Sequence, residues 1–162
     1  MTPQTLILTR PDDWHAHLRD GEAMASVVGA TARQFARAIV MPNLKPPVTT
    51  TKHAKAYRER ILQAIPKNAS FEPLMTLYLT DNTDPQEIGR AKASGAVHAV
   101  KYYPAGATTN SDSGVTDITR CYALFEAMAE HGMPFRTLHD GEAIVIAGRN
   151  ERLGRRALPA GQ

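Results

Sequence analysis

The chain reads as an α/β protein, a partial (β/α)8 or TIM barrel made of roughly the first four βα units plus a fifth strand. Short apolar runs of strand character alternate with segments of helical period along its 162 residues. Polar groups gather where the strands finish: His15 and His17 after the first, Asn43 after the second, Lys101 near the end of the fourth and His139 after the fifth. Barrels draw their reactive groups from several strand ends on one face. The pattern therefore favours a barrel over an open doubly wound sheet, which periodicity alone does not separate from it. A complete barrel usually needs about 250 residues, more than this chain has.

The elements follow in order. The first strand is predicted at residues 6–8, inside Thr5-Leu6-Ile7-Leu8-Thr9, and residues 22–34 supply a weaker helix candidate behind it. Residues 36–41 form the second strand. Over residues 51–65 the side chains of Ala54, Tyr57, Ile61 and Ile65 fall on one helical face. The third strand is residues 74–79. Asp84-Pro85-Gln86-Glu87 joins a capping residue, a proline suited to the first helical position and a glutamate three residues after the cap, so a helix starts there and Gly95 ends it. Residues 96–103 are the fourth strand. Residues 117–130 set Ile118, Cys121, Tyr122, Phe125 and Met128 on a helical face, and residues 133–138 make the fifth strand. No internal repeat or low-complexity linker interrupts the series.

Composition narrows the function classes. Cys121 is the only cysteine, so no internal disulfide forms, and its neighbours at helical spacing mark a buried thiol rather than a nucleophile. Residues 1–135 hold 14 Lys or Arg against 13 Asp or Glu, so the net charge of +3 resides mainly in the tail. No basic stripe with interleaved aromatics runs through the body, which argues against a nucleic-acid partner. No apolar stretch approaches the roughly 20 residues of a membrane span, and the N-terminus lacks a basic segment followed by a long apolar one. A cytoplasmic protein with no membrane partner is the expectation.

His15 and His17 stand in Pro11-Asp12-Asp13-Trp14-His15-Ala16-His17-Leu18-Arg19-Asp20. Side chains two apart on an extended chain face the same side, so both imidazoles can converge on one object, and a metal ion is expected there. Taken alone, Lys101 could be a solvent-face lysine of an edge strand, Asn43 simple turn chemistry and His139 a loop residue. His53, His98 and His131 have no partners at useful spacing and read as structural or surface residues. Thr108-Thr109-Asn110-Ser111 with its flanking glycines is a polar loop, flexible by composition. Phosphate-loop, dinucleotide-fingerprint, nucleophile-elbow and His-Glu-x-x-His motifs are all missing. A metal-assisted reaction is the chemistry left standing.

Three segments carry a resemblance. Arg10-Pro11-Asp12-Asp13-Trp14-His15-Ala16-His17-Leu18-Arg19-Asp20-Gly21, Ala38-Ile39-Val40-Met41-Pro42-Asn43-Leu44-Lys45-Pro46-Pro47-Val48-Thr49-Thr50 and Lys101-Tyr102-Tyr103-Pro104-Ala105-Gly106-Ala107-Thr108-Thr109-Asn110-Ser111 together resemble the single-domain bacterial dihydroorotases of pyrimidine biosynthesis, within the amidohydrolase superfamily. The resemblance runs from about residue 5 to about residue 135. His-x-His alone would fit any amidohydrolase, hydantoinases and allantoinases included. The resemblance implies zinc-dependent, reversible hydrolysis of the cyclic amide of dihydroorotate to N-carbamoyl-L-aspartate, a small-molecule substrate, paired zinc ions and a homodimer. It implies that His15 and His17 bind the more buried zinc, that Lys101 is carboxylated and bridges the ions, and that His139 binds the second. Arg19 and Asn43 would hold the substrate carboxylate, for which a planar arginine fork is well shaped. Thr108 and Thr109 would belong to a loop that closes over substrate.

The departures matter equally. Tyr102 stands where the family has leucine, and after Pro134 the family's apolar strand leading into His-Gly-Glu is replaced by Phe135-Arg136-Thr137-Leu138-His139-Asp140-Gly141-Glu142. Residues 1–139 are therefore read as the N-terminal half of the barrel. Residues 140–162 are read as a divergent, poorly ordered tail, as from a shifted reading frame or a degraded gene. The family's enzymes are roughly twice this long, and their further half carries another zinc histidine and the aspartate that handles the proton. No catalytic general base is assigned within these residues, and the chain by itself is expected to have little or no activity. A noncatalytic remnant with a partial metal site, or another amidohydrolase such as a hydantoinase, are the alternative readings.

Overall fold

A computed structural model describes residue 5, residues 7–139 and residues 142–146, with the backbone alone described at 138, 139 and 142–146. The elements are β1 (Asp12–Ala16), α1 (Gly21–Gln34), β2 (Arg37–Val40), α2 (Thr51–Ala64), β3 (Glu72–Tyr78), α3 (Gln86–Ala93) and β4 (Val97–Lys101). A 3-10 turn (Ile118–Cys121) then leads into α4 (Tyr122–Glu130), β5 (Phe135–His139) and β6 (Glu142–Ile146). Strands β1 to β5 are parallel and lie side by side in chain order, while β6 runs antiparallel along β5.

That order decides between the two architectures. A doubly wound sheet reverses its strand order at a switch point and carries helices on both faces. Here the order never reverses, and α1 packs on α2, α2 on α3 and α3 on α4, a continuous outer layer as in a barrel. Between the sheet and that layer, Val28, Ala54, Tyr57, Ile61, Leu77, Ile88 and Val100 have no exposed surface. Strands covered on both faces carry near-continuous burial, as β2 and β3 do after their first residue.

Local chemistry explains the helices. Asp20 opens α1 by accepting a hydrogen bond from the Gly21 N–H, and Met24, Val28 and Ala32 bury one stripe. Thr50 caps α2 through the His53 N–H, and the expected Ala54, Tyr57 and Ile61 turn inward. At α3 the Asp84 carboxylate accepts from the Gln86 N–H at 2.9 Å. Glu87 does not turn back as a capping box would. Its Oε1 accepts from the Thr51 N–H at 2.6 Å and its Oε2 from Arg90 Nε at 2.8 Å, so it closes the start of the neighbouring helix α2. Gly95 ends the α3 segment with φ at +66°.

Two expectations change. The first strand, expected at residues 6–8, is the histidine motif itself, because Asp12–Ala16 is the stretch that pairs with β2; of the expected residues, Leu6 lies outside the described ones. Ile7 and Leu8 are 91% and 74% exposed, outside any strand. The fourth helix opens with a 3-10 turn, whose tighter winding breaks the 3.6-residue phase, so Ile118 and Tyr122 lie exposed while Cys121, Leu124 and Met128 are buried. Within the segment read as a tail, the backbone of residues 142–146 lies beside β5 as β6, and residues 140, 141 and 147–162 lie outside the described residues.

Candidate functional site

The opening motif brings its two imidazoles together. A bulge shifts the β1–β2 register between Asp13 and Ala16, and the His15 N–H is held by Asp13 Oδ1 at 2.8 Å. His15 Nε2 and His17 Nε2 stand 3.1 Å apart, with ring planes tilted by 46°. Burial pushes the His15 pKa down to about 4, helped by the charges of His17, Lys101 and Arg136. Burial likewise lowers His17, with Arg19 adding to the effect. Both rings are neutral near pH 7, the state in which imidazole donates a lone pair to a metal. Among the described residues no third His, Cys, Asp or Glu completes a ligand group. The pair thus fits one metal ion and leaves its remaining positions open.

Lys101 ends β4 in a row that runs across three strands, opposite Tyr78 on β3 and Arg136 on β5. It has no exposed surface, and its Nζ lies 4.8 Å from the centre of the Tyr103 ring, which stacks on Tyr78. Burial, then the nearby Arg136 charge, brings its pKa down to about 8. An ammonium group has no lone pair for a metal; only the neutral amine or a carboxylated derivative of it could serve as a ligand. Both imidazoles feel the Lys101 charge, so the three groups share one neighbourhood. Arg136 was no candidate on sequence grounds, yet it is completely buried beside Lys101. The signal that points to it is a cation inside an otherwise apolar strand run.

The carboxylate-binding candidates flank the pair. Arg19 holds a left-handed backbone, φ +61°, and its carbonyl accepts from the Tyr57 hydroxyl at 2.5 Å. Tyr57 is fully buried, and that burial raises its pKa, so the hydroxyl stays a donor. The Arg19 side chain is exposed, and its charge reaches His17. Buried Asn43 lies beside His17, whose pKa it raises against the burial, and donates from Nδ2 to the Thr109 carbonyl at 3.0 Å. Asn110 returns a bond to the Asn43 carbonyl at 3.1 Å.

The loop of Thr108 and Thr109, read as flexible, is stitched in place. Besides its bonds to Asn43, the Thr108 N–H donates to Ser111 Oγ at 2.8 Å, and Ser111 Oγ donates to the Thr108 carbonyl at 2.6 Å. At Gly114 a Cβ would stand 2.4 Å from the Tyr103 carbonyl oxygen, so only glycine fits there. Both threonine side chains are exposed above the site. His139 closes β5 with its backbone opposite Glu142, and its side chain lies outside the described residues. An apolar hollow of about 500 Å³ lies away from this chemistry, lined by Tyr102, Ile118, Phe125, Met128, Met133 and Phe135.

The amidohydrolase family model matches residues 6–143. The dihydroorotase of Ralstonia nicotianae is 71% identical over 166 aligned positions, covering 96% of this chain and 48% of its own length. The crystal structure of the Campylobacter jejuni dihydroorotase superposes with a TM-score of 0.72 at 39% identity, over 79% of this chain and 37% of that one. That of Saccharomyces cerevisiae, solved with 5-fluoroorotic acid, gives 0.71 at 34% identity, over 84% and 39%. The chain spans about half or less of the length of the curated relatives it matches.

Proposed function

This chain belongs to the amidohydrolase family, and on that premise we propose that it supplies the N-terminal part of a dihydroorotase active site. The observation that carries the reading is the 3.1 Å approach of His15 Nε2 to His17 Nε2 at the end of β1, with both rings held neutral. In this reading His15 and His17 hold a zinc ion, which nitrogen ligands suit, and Lys101 reaches the same centre once carboxylated. Bound there, the metal supplies Lewis acidity toward an amide carbonyl and a lowered pKa for water.

The remaining chemistry belongs to the chain. Arg19 presents a guanidinium fork to the carboxylate of dihydroorotate or N-carbamoyl-L-aspartate, and Asn43 offers a second polar contact to it. Tyr57 keeps the strained Arg19 backbone in its left-handed conformation, so the fork leaves the chain in a fixed direction. Asn43 also joins the site to the threonine loop, coupling substrate contact to the position of Thr108 and Thr109. The one described acidic charge acting on the histidine pair is Asp13, and its carboxylate is engaged by the His15 backbone N–H, so no described carboxylate is assigned as proton acceptor and residues 1–162 alone are expected to turn over substrate poorly.

A chimera tests the proposal. Residues 1–135 of this chain are fused to the corresponding remainder of the Ralstonia nicotianae dihydroorotase, and turnover of dihydroorotate is measured. Zinc-dependent turnover, lost on His15→Ala, is the expected result. A folded but inactive chimera, or one indifferent to His15→Ala, contradicts it.

A further inference from the structure

The loop that carries Thr108 and Thr109 leaves the end of β4 and closes on itself at a neck, where Pro104 and Val115 pair as an isolated bridge. The Ala105 N–H donates to the Val115 carbonyl at 3.0 Å and the Val115 N–H to the Tyr103 carbonyl at 2.9 Å. The residue after the neck, Thr116, is gripped from outside the loop. Its N–H donates to Asp81 Oδ1 at 2.9 Å and its hydroxyl to Asp81 Oδ2 at 2.6 Å, while Arg120 Nη1 reaches the same Oδ2 at 3.1 Å. Asp81 is itself fixed. It sits in the tight turn after β3, where the Thr80 N–H donates to Thr83 Oγ1 at 2.9 Å and the Thr83 N–H to the Thr80 carbonyl at 3.2 Å. Its side chain is only 13% exposed. The Thr116 bonds hold its pKa below the ordinary carboxylate range, so an anion meets these donors near pH 7. The 3-10 turn that follows has its own cap, because Asp117 accepts from the Thr119 N–H at 2.9 Å. What Asp81 holds is therefore the neck of the loop, while the Tyr78 hydroxyl, also on β3, donates to the Asn110 carbonyl at the far end at 3.4 Å.

We propose that Asp81 is a positioning residue for substrate binding: by clamping the neck through Thr116, it sets where Thr108 and Thr109 stand over the ligand that Arg19 and Asn43 hold. The identity of that ligand rests on the dihydroorotase reading above. Asp81 needs no contact with substrate and acts through the threonines alone. A loop fixed before binding presents its hydroxyls without the entropic cost of ordering them, and a loop freed at its neck bears that cost when substrate arrives. Loss of the clamp therefore weakens binding more than it slows the chemical step.

Two measurements test this, and the first is independent of activity. In the full 162-residue chain, Asp81→Ala should speed hydrogen exchange at the Ala105, Gly114 and Val115 amides by about tenfold, with the α2 and β3 amides unchanged. Asp81→Asn, which keeps an oxygen for the Thr116 N–H but no charge for Arg120, should fall between. The chimera described above carries Asp81, Thr116 and the whole loop. There Asp81→Ala should raise KM for dihydroorotate about tenfold while kcat stays within about twofold. Affinity for 5-fluoroorotic acid, the ligand in the yeast relative's crystal structure, needs no turnover. That affinity should fall with Asp81→Ala, and should not fall further when Thr108→Ala and Thr109→Ala are already present, since the clamp then has nothing to position. Unchanged exchange at the neck, an unchanged KM, or an equal loss of affinity with and without the threonines overturns the proposal. If the unsubstituted chimera fails to turn over dihydroorotate, the dihydroorotase reading falls, and exchange in the 162-residue chain still decides whether Asp81 holds the neck.

Discussion

At the scale of single residues, the site is governed by burial without compensation. His15 illustrates the sign of the effect. Its pKa falls from 6.5 to about 4 on folding, so between those values the unfolded chain binds a proton that the folded one refuses. Stability is therefore intact above pH 6.5 and falls as pH drops toward 4. Urea unfolding of the metal-free chain at pH 7 and pH 4.5 should show this loss, and His15→Asn, which does not titrate, should lose markedly less. Equal losses would mean that His15 is not held neutral by the fold. Arg19 and Tyr57 form a second coupled pair. Tyr57→Phe removes a buried donor from the Arg19 carbonyl and should cost about 1–2 kcal/mol of stability by the same measurement.

At the scale of elements, the sequence was readable wherever a local pattern fixes the outcome. The apolar stripe of α2, the start of the α3 segment at Asp84-Pro85 and the strand-end placement of Asn43 and Lys101 all follow from spacing and capping. Residues 6–8 misled, because a short apolar run resembles a strand whether or not a neighbour pairs with it, and pairing went to the histidine motif. Glu87 misled in another way. Its position three residues after a cap is a local signal, but a long-range donor, Thr51 N–H, took the carboxylate. Burial works against that carboxylate, yet the bonds from Thr51 and Arg90 outweigh it and hold its pKa below the ordinary value. Glu87→Ala should therefore uncap α2 and cost about 1–2 kcal/mol, with protection from hydrogen exchange lost first at residues 51–54. Loss confined to α3 would count against that cross-helix role. The lysine–arginine row was hidden for the same reason, since register between strands 35 residues apart is invisible to periodicity.

At the scale of the whole molecule, strands β1 to β5 in unbroken order make one side of a barrel, and the described surfaces show what such a partial wall leaves open. Trp14 on β1 is 61% exposed, and the apolar hollow between α4 and β5 faces outward. Exposed apolar surface of this kind favours self-association. Sedimentation of the 162-residue chain should show concentration-dependent assembly, weakened by Phe125→Ser in the hollow, and a concentration-independent monomer would contradict this.

The histidine pair is where these scales meet, and zinc binding to it is the most direct test. Metal-free chain is titrated with zinc against a chromophoric chelator, and the loaded protein is examined by zinc X-ray absorption. Imidazole nitrogens at about 2.0–2.1 Å, with affinity reduced at least about tenfold by either His15→Ala or His17→Ala, are expected, a change of roughly 1.4 kcal/mol or more. Unchanged affinity in both variants, or a zinc shell without imidazole, would contradict the account at its root.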